Sequence, residues 1–174
     1  MEVAVPELIC HDVLQYNCYS SLQFRAQRIR PMFNWFKYAV KRIDRPMTLA
    51  VLASGIDEMP EWTEFIRQGI KQGKFKVECH GWEHRDYKHM DVSEVYSWLL
   101  MAKEKLEATF KQPITRFFPP RMRYRQETKN GAEMAGLTLI SRFKGPSRYL
   151  RKGGTMLDFH YWVQHDIDGV INCL

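Results

Sequence analysis

No apolar run in the 174 residues approaches the roughly 20 that a membrane-spanning helix needs, so the chain is not expected to cross a bilayer. Its opening, MEVAVPELICHDV, lacks the basic stretch followed by a long apolar one that marks a secretory leader, and the expectation is therefore a cytoplasmic protein. Cysteine is scarce. Cys10, Cys18, Cys79 and Cys173 stand far apart without a Cys-x-x-Cys pair, which argues against a disulfide framework or a cysteine zinc site and fits a reducing compartment. Runs of one charge sign are also missing. Lysine and arginine exceed aspartate and glutamate by 26 to 20, a formal charge of +6, but the basic residues are scattered. The balance suits an anionic partner such as nucleic acid or an acidic glycan, but with the basic residues scattered a solvated basic surface is expected over a dedicated nucleic-acid face, and a small-molecule or glycan substrate over nucleic acid.

What is present suits one core. At 45% hydrophobic content, the length supports a single domain over residues 1–174 rather than two independent ones. Strand-like runs recur: VAVPELICHD, MTLAVLAS (47–54), FKVECHG (75–81), ITRFFPP (114–120), LTLIS (137–141) and TMLDFHYW (155–162). Amphipathic stretches lie between them. In the first, Ile29, Phe33, Phe36 and Val40 keep near-helical spacing, with Pro31 expected to break or kink the helix. A second opens at Pro60 and ends near Gly73, the usual asymmetry of helix ends. A third is the most regular, with Val95, Trp98, Leu99, Ala102 and Leu106 on one stripe and Asp91 and Glu94 spaced as a capping box. Strand and helix in alternation predict a parallel α/β fold, because parallel strands need long crossovers. Chemistry in such folds gathers at the carboxyl ends of strands.

The reactive side chains fall at those ends. His80 and His84 are four apart in HGWEH, directly after the third strand, and neutral imidazole is a common zinc ligand. A catalytic zinc takes three protein ligands, and Asp12, ending the first strand, is the candidate third. His11, the PPRMRY stretch and His160 complete the set. Arg121, Arg123 and Arg125 form a basic cluster suited either to solvent or to a phosphate or carboxylate on the substrate. His165, Asp166 and Asp168 are read as either a polar surround for the site or the cap of the last helix.

This constellation resembles the polysaccharide deacetylases of carbohydrate esterase family 4, the NodB homology domain. HGWEH resembles their His-[Ser/Thr]-x-x-His motif, with Gly81 at the hydroxyl position. His11-Asp12 stands where they carry two aspartates, a base and then a metal ligand. FFPPRM (117–122) shares their Pro-Pro core, and MLDFH (156–160) resembles their closing apolar residue and histidine. The resemblance implies a distorted, incomplete (β/α) barrel of about six to seven parallel strands, open on one side, with closure by a partner chain in a homo-oligomer as the accompanying expectation. It implies a metal-dependent hydrolase of non-peptide carbon–nitrogen bonds that deacetylates an N-acetylated sugar with a metal-activated water. Asp12, His80 and His84 would hold the metal, taken as zinc. His160 would be the general acid, and the Arg121 backbone N–H an oxyanion donor. Trp82, Pro120, Arg123, Tyr124, Tyr161 and Trp162 would line the substrate groove. Two departures stand out: His11 occupies the base position, and Phe118 the position of the arginine that pairs with the base. Either His11 serves as base, or Asp12 takes that role and leaves the metal two histidines. An inactive carbohydrate- or nucleic-acid-binding protein on the same fold is the alternative.

Overall fold

The computed structural model of the protein describes residues 7–15, 22–140 and 156–174; Cys18 and the outer ends of three predicted strands (residues 3–6, Ser141 and Thr155) lie outside them. All six predicted strands form. They are β1 (Glu7–Val13), β2 (Met47–Val51), β3 (Phe75–Cys79), β4 (Arg116–Phe117), β5 (Thr138–Leu139) and β6 (Met156–His160), every pairing is parallel, and the order across the sheet is β5-β4-β3-β2-β1-β6. With helices α1 (Leu22–Arg42), α2 (Gly55–Glu58), α3 (Pro60–Lys71), α4 (Val92–Phe110), α5 (Gln126–Met134) and α6 (Gln164–Ile171), they form a curled half-barrel. β4 and β5 are each two residues long, shorter than their apolar runs predict, because the chain leaves the ladder at Phe118 for a proline turn.

Alternation along the strands divides the fold into two faces. Leu8 and Cys10, Leu49 and Val51, Val77 and Cys79, Phe117, Leu157 and Phe159 point outward and meet Phe36, Trp62, Ile66, Leu99 and Leu106 from the helices in the main core. Each buried leucine there contributes roughly 1.5–3 kcal/mol. Among the described residues, the inner face carries a small apolar cluster of Ile9, Ala50 and Phe118, with Ile140 and Met156 packed against it, beside buried polar groups such as Thr48, Glu78 and His80.

At the amino-terminal end of that inner face, Arg116 of β4 donates to both carboxylate oxygens of Glu7 on β1, at 2.9 and 2.7 Å, and to the fully buried Glu78 on β3 at 3.1 Å. Two strands separate β4 from β1. On a flat sheet, where side chains stand nearly upright, the two would be about 14 Å apart, so this contact exists only because the sheet curls around it.

The helices follow their sequence signals with one exception. α4 starts at Asp91, whose carboxylate accepts from Glu94 N–H at 2.9 Å while Glu94 accepts from Asp91 N–H at 3.0 Å, the capping box. α1, however, runs unbroken through Pro31. That residue is exposed, so the carbonyl left without its donor one turn earlier can be satisfied by water.

Candidate metal centre at the strand ends

His11 and Asp12 are consecutive, and a regular strand would send them to opposite faces. A β-bulge prevents this. β1 pairs Cys10 with Leu49 and then Val13 with Val51, one residue too many, and Asp12 takes up the excess at φ 60°. Aspartate tolerates the left-handed region better than most residues, though it still stores roughly 1–3 kcal/mol of strain. The result is that both side chains face the barrel mouth.

His80 continues β3, its N–H bonded to Val51 O at 2.9 Å. Gly81 follows at φ 105°, and a Cβ there would run into the Tyr87 hydroxyl. That hydroxyl accepts from Trp82 N–H at 3.2 Å, and burial pushes its phenol well above the usual range. Glycine at this position is thus required by the turn: the loop folds over a buried tyrosine. The carbonyls of Gly81 and Trp82 accept from Ala53 and Ser54 N–H at 3.1 and 3.0 Å, which ties the loop to the end of β2 and carries His84 back over the mouth.

Three side chains then converge. His80 Nε2 lies 3.1 Å and His84 Nε2 3.3 Å from Asp12 Oδ1, and the three ligand atoms lie within 4.8 Å of one another. His80 Nδ1 is 2.7 Å from the Phe118 carbonyl, which can only accept, so the proton sits on Nδ1. Burial holds the His80 pKa below its usual value and favours the neutral ring. Its Nε2 lone pair therefore faces a carboxylate oxygen, two acceptors that need a cation between them. Donor atoms around a zinc-sized ion sit about 3.0–3.4 Å apart at its usual bond lengths, and both imidazole–carboxylate distances suit such an ion.

Around this centre, His160 at the end of β6 places Nε2 3.6 Å from Asp12 Oδ2 and Nδ1 3.3 Å from the buried Asp166. Asp166 also faces His165 Nε2 at 3.4 Å. It lies in the first turn of α6, whose cap position is Val163, so Asp166 adds a polar group beside His160 rather than capping the helix, whereas Asp168 pairs with Arg42 at 3.1 Å. Trp162 donates its indole N–H to Asp12 Oδ2 at 3.2 Å.

The residues assigned from the family resemblance divide. Trp162 is 43% exposed at the mouth, and Trp82 and Tyr124 are half-buried. Tyr161, expected in the groove, is instead 1% exposed and packs edge-on to Phe36 and Trp62, because alternation after His160 turns it to the helical side. Pro120 is buried as well. Arg123 pairs with Asp86 at 3.2 Å and Arg125 with Glu127 at 3.1 Å, so neither is an uncommitted anion binder. Arg121 sits at φ 57° in the Pro120–Met122 turn, whose bonds run from Met122 N–H to Pro119 O and from Arg123 N–H to Pro120 O. Its own N–H is left out of the turn's bonding, as an oxyanion donor requires.

His11 departs most from expectation. It is buried; desolvation first, then the neighbouring rings of His80 and His160, lower its pKa to about 3. Its Nε2 has no hydrogen bond, and the nearest acid, Asp158, is 3.6 Å away. A base for neutral pH works best with a pKa near 7, and burial at this position works against that role for His11. Asp158 escaped the sequence reading, although it stands two residues before His160 on the same strand face. Phe118, at the arginine position, packs edge-on to His11 at 5.8 Å, so the missing ion pair has become a ring contact.

The family profile described as polysaccharide deacetylase matches residues 38–140, a span that contains His80, His84 and the proline turn. Among solved structures, the chain is similar to the peptidoglycan deacetylase PdaC from Bacillus subtilis: 17% identity, TM-score 0.66, 98% of this chain and 83% of that one. A family 4 pseudoenzyme from Bacillus anthracis superposes with 16% identity and TM-score 0.59 over 80% of this chain and 43% of that one. A family 4 acetyl xylan esterase from Clostridium thermocellum, in complex with a cobalt ion, gives 13% identity and TM-score 0.52 over 78% and 56%. The chain thus spans less than half the length of the Bacillus anthracis protein. No curated protein matches it significantly. These likenesses fix the fold as an incomplete NodB-type barrel. With its profile matched over more than half of its length, this chain belongs to the polysaccharide deacetylase family.

Proposed function

We propose that the protein is a metal-dependent hydrolase that removes the acetyl group from an N-acetylated sugar. The observation that carries this is the facing of the His80 Nε2 lone pair and Asp12 Oδ1 at 3.1 Å, with His84 Nε2 at 3.3 Å. The two imidazoles and the carboxylate would hold a divalent ion, zinc by preference, leaving open positions. Such an ion polarises an acyl oxygen and lowers the pKa of water. The chain's own residues supply the rest. The Arg121 N–H would bind the developing oxyanion, and His160, held by Asp166, would deliver a proton to the leaving amine, while the proton given up by the attacking water passes to solvent. Trp162, Trp82 and Tyr124 bound the sugar. Asp12 would serve as a ligand rather than as the base, because the Nε2 atoms of both imidazoles lie beside its Oδ1.

The net charge of +6 suits an anionic glycan, and the free thiols of Cys10, Cys79 and Cys173 suit a reducing cytoplasm. The reading extends to one domain over residues 1–174. A second reading, a sugar-binding protein without turnover, is favoured by the low pKa of His11 at the base position.

Metal content of protein purified without chelator decides first, with His80→Ala in parallel. About one ion per chain, absent in the variant, supports the centre; no uptake after zinc or cobalt is added refutes it. Acetate release from N-acetylglucosamine oligomers then separates the enzyme from the binder.

A further inference from the structure

Resting on that metal reading, we infer that Trp162 is a positioning residue for the ion, acting through Asp12. The indole N–H can only donate, so its 3.2 Å contact with Asp12 Oδ2 is a hydrogen bond of fixed polarity. It occupies one oxygen of the carboxylate. The other, Oδ1, is the one that faces His80 and His84.

Such a tie is needed here. Asp12 sits in a bulge at φ 60°, where no regular ladder fixes the direction of its side chain. His160 Nε2, at 3.6 Å, is too far from Oδ2 to hydrogen-bond it. Trp162 is itself placed by the turn that closes β6, where Val163 N–H bonds His160 O at 3.0 Å, and by its ring lying 5.4 Å from that of His160. The tryptophan thereby selects which carboxylate oxygen is presented to the metal, while its exposed face remains available to a sugar ring.

The two roles separate by substitution. Trp162→Phe keeps an aromatic face and removes the donor; Trp162→Leu removes both. Zinc affinity is measured by competition with a chromophoric chelator, in the absence of any substrate, on wild type and both variants. Thermal melting of the metal-free proteins checks folding; the residue is 43% exposed, so both should match wild type. The expected result is a similar loss of zinc affinity in both variants, roughly 10- to 100-fold, as for other groups that orient a metal ligand. Affinity of Trp162→Phe within twofold of wild type, in a protein that melts normally, overturns the inference and leaves the metal reading standing. A wild type that binds no zinc overturns both. If Trp162→Phe melts early, the leucine variant decides alone by the same criterion.

Discussion

Replacing Arg116 by methionine tests whether the strut across the inner face holds the barrel in its curl. In the wild type the guanidinium holds Glu7 through two bonds and Glu78 through one. Breaking a buried pair costs about 3–5 kcal/mol when the stranded charge has no other partner. Glu78, wholly buried, keeps Lys76 at 2.9 Å and the N–H groups of Thr115 and Arg116 at 3.0 and 2.8 Å. Glu7 is about one-third exposed, which screens its share. We therefore expect Arg116→Met to lose about 2–3 kcal/mol at pH 7, measured by urea denaturation. The sign of the pH dependence follows. Arg116 above all, against an opposing effect of burial, lowers the Glu7 carboxyl; Glu78, which burial would raise, is lowered by Lys76 and the β4 backbone. Carboxyls lowered in the folded state contribute stability above their unfolded pKa near 4.3 and lose it as pH falls through the folded value. The gap between variant and wild type should thus be widest at neutral pH and narrow below about pH 4. Adding Glu78→Gln should cost less in the variant than in the wild type. A loss under about 0.5 kcal/mol at pH 7, within the range of an ordinary surface substitution, or a gap that does not narrow as pH is taken below about 4, would refute the strut.

Gly81→Ser, which installs the hydroxyl residue of the family motif, should destabilise by about 2 kcal/mol through its φ of 105° and the collision with Tyr87, and Tyr87→Phe should recover part of that; equal melting temperatures for wild type and Gly81→Ser would show that the loop adapts. Asp166→Asn should leave metal content intact but cut kcat on a glycan substrate roughly 10- to 100-fold, since the buried carboxylate orients His160; unchanged kcat removes Asp166 from the mechanism. Leu99→Ala, in the fully buried stripe of α4, should cost about 2–5 kcal/mol in denaturant, and a smaller loss would mean that the helix packs more loosely than its burial implies.

Much of this arrangement was legible from periodicity, and the limits of that legibility have a physical cause. Strand and helix runs placed all six strands, because each apolar run is long enough to show its period. The same two-residue period, carried past His160, would have sent Tyr161 to the core and Asp158 to the inner face; the expectation for Tyr161 came from its neighbours' chemistry and ignored its parity. The bulge at Asp12 lies beyond any such rule. It depends on a register slip between β1 and β2, a property of two strands 40 residues apart, and no single-strand pattern carries it.

His11 shows the deeper limit. From sequence, a histidine at the base position is a usable base, since free imidazole titrates near 6.5. What decides its role is how far the pocket desolvates it and which charges stand nearby, both products of the assembled fold. Phe118 supplies the apolar wall, His80 and His160 the neighbouring rings, and together with burial they leave a neutral imidazole at pH 7. The paired replacement visible in the sequence, no aspartate and no arginine, is coherent in the structure for the same reason. An arginine at position 118 would need a counter-charge that His11 does not provide, and an aspartate at position 11 would be buried against a phenyl ring. Any chemistry at this centre therefore has to proceed without an aspartate–arginine ion pair at positions 11 and 118, with the burden on Asp12, His80, His84 and His160, which the fold brings together.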